Sequence, residues 1–128
     1  MPQIEMQHVT KYFTNEQRRF TAIDDVSLTI ERGEFVFLIG SSGAGKTTLL
    51  RLLANQIVAD EGKIWIDDVE LTRLRGWRRP VYRRNIGQVW QDASLIRKKT
   101  VRQNLELVQR ALGVKSKVIP ENTRKALS

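Results

Sequence analysis

The chain has 128 residues and a mass of 14.8 kDa, with 41% hydrophobic and 28% charged residues, a balance typical of one globular domain that excludes collagen, coiled coil and disorder. It has no cysteine and its longest apolar run is Phe35–Ile39, which excludes disulfide scaffolds, cysteine-ligated zinc and a membrane span of about 20 residues. The net charge of +8 lies in the second half, because residues 1–64 carry 7 Lys and Arg against 8 Asp and Glu, and residues 65–128 carry 15 against 6.

Alternating apolar and polar residues near the N-terminus are typical of half-exposed strands. Ile4–His8 predicts an edge strand, Val26–Ile30 predicts a second strand, and the polar segment 14–19 between them predicts a hairpin loop. Phe35–Ile39 is apolar at every position. It therefore predicts the central strand of a largely parallel sheet, buried on both faces.

The middle of the chain predicts one helix and two short strands. Thr47–Asn55 predicts a helix with its leucines on one side. Lys63–Ile66 and Ile86–Val89 predict short strands. Asp67 and Asp68 follow the first of these strands, and we expect a hairpin turn there because aspartate tolerates the left-handed backbone conformation.

The C-terminal part predicts two helices. Thr100 and Gln103 have the spacing of a capping box, which indicates a helix at Val101–Leu112 with its apolar positions on a buried side. Gly113 ends this helix, and Pro120 suits the first turn of the next one.

The strongest chemical signal is the segment Gly40–Thr47, which we call the phosphate loop. It follows the pattern glycine, four residues, glycine, lysine, then serine or threonine. Between a buried strand and a helix, the amides of such a loop and of the helix N-terminus form an anion site for nucleotide phosphates. We expect Lys46 to neutralise the β- and γ-phosphates and Thr47 to offer its hydroxyl to Mg²⁺. The other residues expected to hold the nucleotide are Gly40, Ser41, Ser42, Gly43, Ala44, Gly45 and Thr48.

A phosphate loop alone is shared by GTPases, nucleotide kinases and transport-type ATPases. No Asn-Lys-x-Asp tetrapeptide, which would read guanine, occurs in the sequence. A small nucleotide kinase usually has its phosphate loop near the N-terminus, whereas 39 residues precede this one. Both of these classes are therefore disfavoured.

In their order along the chain, the motifs resemble the nucleotide-binding domain of ABC ATPases. The resemblance extends from Ile4 to Gly113, and the segments Leu71–Leu74 and Gln91-Asp92 resemble the FtsE subfamily of bacterial cell-division ATP-binding proteins. The matching segments are His8–Tyr12, Asp25–Ser27, Gly33–Leu38, the phosphate loop with Thr48–Leu53, Gly62–Trp65, Leu71–Leu74, Arg83–Gly87 with Gln91 and Asp92, and Thr100–Asn104.

The resemblance implies an α/β fold, the P-loop NTPase fold of ABC type. Antiparallel N-terminal strands would be followed by the start of a parallel core sheet with helices, and the C-terminal half of the domain would be missing. Residues 1–113 would form a partial ATP-binding core subdomain, and residues 114–128 would begin a helical subdomain.

The resemblance also assigns two side chains outside the phosphate loop. Tyr12 corresponds to the aromatic residue that stacks on adenine, and stacking contributes about 1–3 kcal/mol per base. Gln91 corresponds to the Q-loop glutamine, which reaches the Mg²⁺ and the attacking water. Gln91 and Lys46 are thus the expected catalytic residues, and Thr47 and Gln91 the expected contacts of the metal.

Six arginines without an intervening acid make up what we call the arginine segment, residues 73–84. The resemblance places it near the docking site of a polytopic membrane subunit, FtsX-like for FtsE, and an anionic lipid surface is a second expected partner. A nucleic acid, with Trp77 and Tyr82 as stacking platforms, is disfavoured, and a solvated basic face is the plain alternative. The arginines are Arg73, Arg75, Arg78, Arg79, Arg83 and Arg84.

Three family elements are absent from the sequence after Asp92: the Leu-Ser-Gly-Gly signature, the Walker B strand ending in Asp-Glu, and the switch histidine. We therefore expect this chain to bind Mg-ATP and to hydrolyse it slowly or not at all. Its full-length parent would be a homodimeric ATPase in cell division, cytoplasmic and peripheral on the inner face of the cell membrane. The alternatives are the ATP-binding subunit of another ABC transporter, of lipoprotein-release or export type, and a non-catalytic nucleotide- or nucleic-acid-binding module.

Overall fold

The computed structural model describes residues 2–92 and 94–128. The chain forms two compact units, one ending at Ile86 and the other extending from Gly87 to Ser128. The subdomain boundary expected at residue 113 stays a prediction.

The first unit contains an antiparallel sheet of four strands in the order β2-β1-β3-β4. The strands are β1 (Ile4–Thr14), β2 (Arg19–Ile30), β3 (Glu61–Ile66) and β4 (Val69–Glu70). The predicted strands at residues 4–8, 26–30 and 63–66 all lie within these elements. Their period-two pattern was therefore a sound indicator of strand structure.

β1 is an interior strand, so the predicted edge position is wrong. Ile4 pairs with Ile30 of β2 on one side and with Ile66 of β3 on the other. Alternation reports which face of a sheet is buried and says nothing about which strands flank it. The predicted hairpin loop is present between β1 and β2, where the Arg18 amide donates to Asn15 Oδ1 at 2.7 Å.

Asp67 and Asp68 form the turn between β3 and β4, as predicted. Their φ angles are +46° and +65°, in the left-handed region that aspartate tolerates. Asp67 also forms an ion pair with Arg32 at 2.9 Å. These carboxylates therefore shape a hairpin.

The first helix, α1 (Lys46–Leu53), packs onto the sheet through Leu49 and Leu52, which are buried. Leu50 is half-exposed, so the predicted leucine side faces the sheet only in part. The cluster around the two buried leucines holds the helix start in place beside the sheet, because burial of each side chain contributes about 1.5–3 kcal/mol. The other buried members of the cluster are Met6, Val9, Ile23, Ile64, Ile66 and Leu71.

Phe35–Ile39 is not a strand, which overturns the predicted central strand. Its side chains are exposed, Ile39 by 89%. A parallel strand needs neighbouring strands to complete its hydrogen bonds, and in the described part of the chain none lies beside this segment. The same reason applies to Ile86–Val89, which is also irregular, with Val89 fully exposed.

A 3₁₀ turn at Leu71–Arg73 leads into the arginine segment, which contains a short helix, α2 (Arg79–Arg83). Leu71 is buried in the core of the first unit, and Tyr82 packs against that core. The irregular residues between the 3₁₀ turn and α2 are therefore held against the first unit on both sides.

The second unit contains α3 (Val101–Ala111) and α4 (Ile119–Leu127). The predicted capping box is confirmed: the Gln103 amide donates to Thr100 Oγ1 at 3.1 Å, and the Thr100 amide donates to Gln103 Oε1 at 2.9 Å. No helix in the described ranges is long and apolar enough to cross a bilayer.

The buried side predicted for α3 is wrong, because none of its residues is buried and Val101 is 66% exposed. Within its unit α3 packs against α4, where Ile119 and Thr123 are buried. One short neighbouring helix covers only part of an apolar face. Gln109 Nε2 donates to Thr123 Oγ1 at 2.9 Å and joins the two helices.

Candidate nucleotide site

The phosphate loop reaches α1 through two left-handed glycines. Gly43 and Gly45 have φ angles of +81° and +92°, and the Ala44 amide donates to the Ser41 carbonyl at 3.1 Å. A Cβ at Gly45 would lie 2.5 Å from the Ala22 carbonyl oxygen of β2. The end of the loop is thus pressed against the sheet, where only glycine fits.

The start of α1 presents backbone amides that the helix itself cannot satisfy. Leu49 is the first residue whose amide reaches a carbonyl of this turn, that of Gly45 at 2.9 Å. The amides of Lys46, Thr47 and Thr48 precede that bond and have no intrahelical acceptor. Gly45, the N-cap residue, has no capping side chain and the first turn holds no acid. An anion is the natural acceptor for these amides.

Lys46 folds back over the loop. Its ammonium donates to the Gly40 and Ser41 carbonyls, both at 2.6 Å. An ammonium has three N–H bonds, so the third is left for a ligand in the mouth of the loop. A Cβ at Gly40 would come within 3.3 Å of Ala44 Cβ and 3.8 Å of Lys46 Nζ, so a side chain there would crowd the lysine.

The residues around the loop fit a magnesium ion that arrives with a nucleotide. Thr47, next to Lys46, is exposed and carries the hydroxyl that Mg²⁺ favours. Among residues 2–92 and 94–128, no cluster of three His, Cys, Asp or Glu residues could hold a metal by itself. Phosphate oxygens and water commonly supply most of the coordination of Mg²⁺ in nucleotide sites.

Tyr12 is fixed at both ends by acidic residues. Its amide donates to Asp60 Oδ2 at 2.7 Å and its hydroxyl donates to Glu61 Oε1 at 3.0 Å. The bond to Glu61 raises the pKa of the Tyr12 phenol, and the Tyr12 amide lowers the pKa of Asp60. The guanidinium of Arg19 lies 3.6 Å from the centre of the ring. One ring face is therefore covered by a cation and a planar partner would stack on the other.

Sequence reasoning missed Arg19, Asp60 and Glu61 as neighbours of Tyr12. Tyr12 pairs with Thr21 across β1 and β2, so Arg19 lies diagonally, two residues further along its strand. Thr10 of β1 pairs with Glu61 of β3. Only the strand register could have revealed these neighbours, and alternation does not define that register between distant strands.

Gln91 lies in the second unit with an exposed side chain. Near it, Trp90 Nε1 donates to Gln88 Oε1 at 2.8 Å. The assignment of Gln91 to the metal and the attacking water stays a prediction from the sequence, as does the stacking role of Tyr12.

The sequence is similar to those of known ATP-binding proteins. The family model described as ABC transporter matches residues 23–127. The cell division ATP-binding protein FtsE of Mycobacterium tuberculosis is 38% identical over 122 residues, which cover 92% of this chain and 52% of FtsE. The methionine import ATP-binding protein MetN 4 of Oceanobacillus iheyensis is 35% identical, in a match that covers 97% of this chain and 36% of the MetN 4 chain. The spermidine/putrescine import ATP-binding protein PotA of Bacteroides thetaiotaomicron is 40% identical, in a match that covers 94% of this chain and 23% of the PotA chain.

The chain is also similar to a solved structure. The ATP-binding cassette MJ0796, a dimer in a post-hydrolysis state bound to ADP and Pi, matches with a TM-score of 0.86 at 28% identity. The match covers 97% of this chain and 55% of that one. The chain therefore spans about half the length of FtsE and of this cassette, and less of the two import proteins.

Proposed function

Because the chain belongs to the ABC transporter family, whose α/β fold was expected from its motifs, we propose that its phosphate loop binds Mg-ATP. The observation that carries the proposal is the convergence of donors at the start of α1. The Lys46 ammonium keeps one N–H bond beyond those given to Gly40 and Ser41. The first amides of the helix add their partial positive charge at the same place.

These donors are sufficient in number for nucleotide binding. A hydrogen bond to a charged group contributes about 1.5–3 kcal/mol net, and micromolar affinity requires about 8 kcal/mol. Three helix amides, the Lys46 ammonium and the Thr47 hydroxyl together contribute about 7–15 kcal/mol before the cost of ordering a ligand is subtracted. Bound Mg²⁺ would neutralise charge on the phosphate oxygens.

Tyr12 is proposed to hold the adenine. The ring is oriented by Asp60 at its backbone and by Glu61 at its hydroxyl, so it loses little freedom on binding. Arg19 behind the ring strengthens the stack, because a guanidinium stacks on one π-face while a base stacks on the other.

We propose that this chain hydrolyses ATP slowly or not at all, and that the whole protein is an ATPase. The sequence has no Leu-Ser-Gly-Gly signature, no apolar strand ending in Asp-Glu after Gln91 and no switch histidine. Gln91 is proposed to orient the attacking water in the whole protein, as a neutral amide that enters and leaves the site at little desolvation cost. That protein is proposed to act as a homodimer at the inner face of the membrane.

For the whole protein we propose an FtsE-like role in cell division, with an FtsX-like polytopic membrane subunit as partner. The segments Leu71–Leu74 and Gln91-Asp92 support this assignment. Since MetN and PotA relatives match at similar identity, import of a small solute is the alternative. Co-purification of the intact protein with FtsX, and not with a methionine permease subunit, is the expected result, and the opposite preference would favour the alternative.

Calorimetric titration with Mg-ATP tests the binding proposal. Lys46→Ala should weaken binding about ten- to a hundredfold, since it removes one charge-assisted bond. Arg51→Ala removes a cation from the last turn of the same helix and should leave the affinity unchanged. If both variants lose the same affinity for Mg-ATP, Lys46 contributes only to the overall positive charge of the chain and not through a specific bond to the phosphates. Robust hydrolysis that depends on Lys46 would contradict the proposal of slow turnover.

A further inference from the structure

The first unit carries a second basic site, in the arginine segment, which the nucleotide proposal does not use. A groove of about 320 Å³ opens there and is bordered by three guanidinium groups, an indole and a leucine. We call it the basic groove. Its lining residues are Arg73, Leu74, Arg75, Trp77 and Arg78.

The arginines of the segment divide into structural and exposed groups. Arg79 donates to Asn55 Oδ1 through Nε at 3.2 Å and Nη2 at 3.1 Å. Arg83 Nε donates to the Asn55 carbonyl at 2.9 Å. Asn55 is buried, and both arginines are half-buried. These two side chains fix α2 to the unit and are not available to an external partner.

The charges in the groove are largely uncompensated. Arg73 pairs with Glu70 at 3.0 Å, and Glu70 is the only acid that pairs with a groove arginine in the described residues. Arg75 is exposed without an ion pair there, and Arg78 lies 4.9 Å from the centre of the Trp77 ring. Two guanidinium groups are therefore available for a phosphate, whose oxygens they can bind through paired N–H bonds.

Trp77 sets the kind of partner that the groove fits. Its side chain is 67% exposed, although a solvated basic face gains nothing from an exposed indole. Tryptophan flanked by arginines suits the headgroup level of a bilayer, where the ring meets the interface and the cations meet phosphates. The basic groove has both kinds of group, an exposed indole for the interface and exposed guanidinium groups for the lipid phosphates.

A nucleic acid fits the segment less well. Sequence-tolerant binding of single strands uses several aromatic platforms in a row, and Trp77 and Tyr82 are the candidates in this segment. The Tyr82 hydroxyl, however, donates to the Ile66 carbonyl at 3.1 Å, and its ring packs against the core. Only Trp77 remains, and a single exposed ring does not form the row of aromatic platforms that such binding uses.

We propose that the basic groove binds the surface of an anionic phospholipid bilayer. Arg75 and Arg78 take the headgroup phosphates and Trp77 enters the interface. This contact is made by the chain itself, without a membrane subunit.

Vesicle binding tests the proposal, with an equimolar mixture of phosphatidylglycerol and phosphatidylcholine compared with phosphatidylcholine alone. The chain should bind the mixed vesicles and not the neutral ones. Replacing both Arg75→Gln and Arg78→Gln should weaken binding about thirtyfold, since each arginine near the surface contributes about fivefold. The matched control, Lys115→Gln with Lys117→Gln, removes the same charge from exposed positions of the second unit and should keep the affinity.

Tryptophan fluorescence adds a readout that general charge would not move. In a Trp65→Phe, Trp90→Phe background, Trp77 emission should shift to the blue with mixed vesicles only. Circular dichroism and Mg-ATP titration establish that each variant is folded. Equal weakening in the two double variants, no preference for mixed vesicles, or tighter arginine-dependent binding to single-stranded RNA than to vesicles would overturn the proposal.

Discussion

Replacing Gly45 with alanine tests how tightly the phosphate loop is pressed against the sheet. At φ of +92° an alanine costs about 1–2 kcal/mol in backbone strain. Its Cβ would also lie 2.5 Å from the Ala22 carbonyl oxygen and 3.1 Å from Ile23 Cδ1. Relieving that overlap requires movement of β2 or the loop, at about 1–3 kcal/mol for overpacking. The expected loss of unfolding free energy is therefore about 2–5 kcal/mol.

Gly43→Ala is the matched control, because Gly43 has a similar φ of +81° and open space where its Cβ would be. It should cost only the strain, about 1–2 kcal/mol. Urea unfolding followed by circular dichroism measures both variants. If Gly45→Ala is no more destabilising than Gly43→Ala, the close approach of the loop to β2 is refuted.

Three further predictions concern the surroundings of the site. Tyr12→Ala should weaken Mg-ATP binding by about 1–3 kcal/mol and leave triphosphate binding unchanged, whereas Tyr12→Phe should keep most of the affinity; equal weakening for both ligands would exclude stacking. The pKa of Asp60 is lowered in the folded protein, so the ionised carboxylate stabilises the fold at any pH above the ordinary carboxyl pKa of about 4. This stabilisation should be lost as the pH falls through the lowered pKa, and the free energy of unfolding should therefore drop less steeply with acid in Asp60→Asn than in the parent chain. Asn55→Ala should cost about 2–3 kcal/mol in urea unfolding, because Arg79 and a positive φ both depend on Asn55; a neutral effect would contradict the anchoring of α2.

Features set by neighbours in sequence could be predicted from it. The capping box of Thr100 and Gln103 and the left-handed turn at Asp67 and Asp68 each depend on a few adjacent residues. The helix after the phosphate loop is equally local, since its glycines, lysine and leucines follow one another.

Features that need distant partners could not be predicted. Phe35–Ile39 has the composition of a central strand, yet in the described residues no strand lies beside it. An apolar sequence indicates that a segment favours burial, but it does not indicate whether neighbouring strands are present to bury it. The stacking of Arg19 on Tyr12 likewise depends on the irregular register of β1 and β2, which alternation alone does not define.

Amide chemical shifts offer the most direct test that the phosphate loop holds a polyphosphate. When Mg-ATP is added to ¹⁵N-labelled protein, the largest changes should appear at the amides of Gly43 to Thr48, which precede or begin α1. In Lys46→Ala the same concentration of nucleotide should move them far less. Changes confined to Arg75 and Arg78, or none in a protein that gives a folded spectrum, would contradict the account.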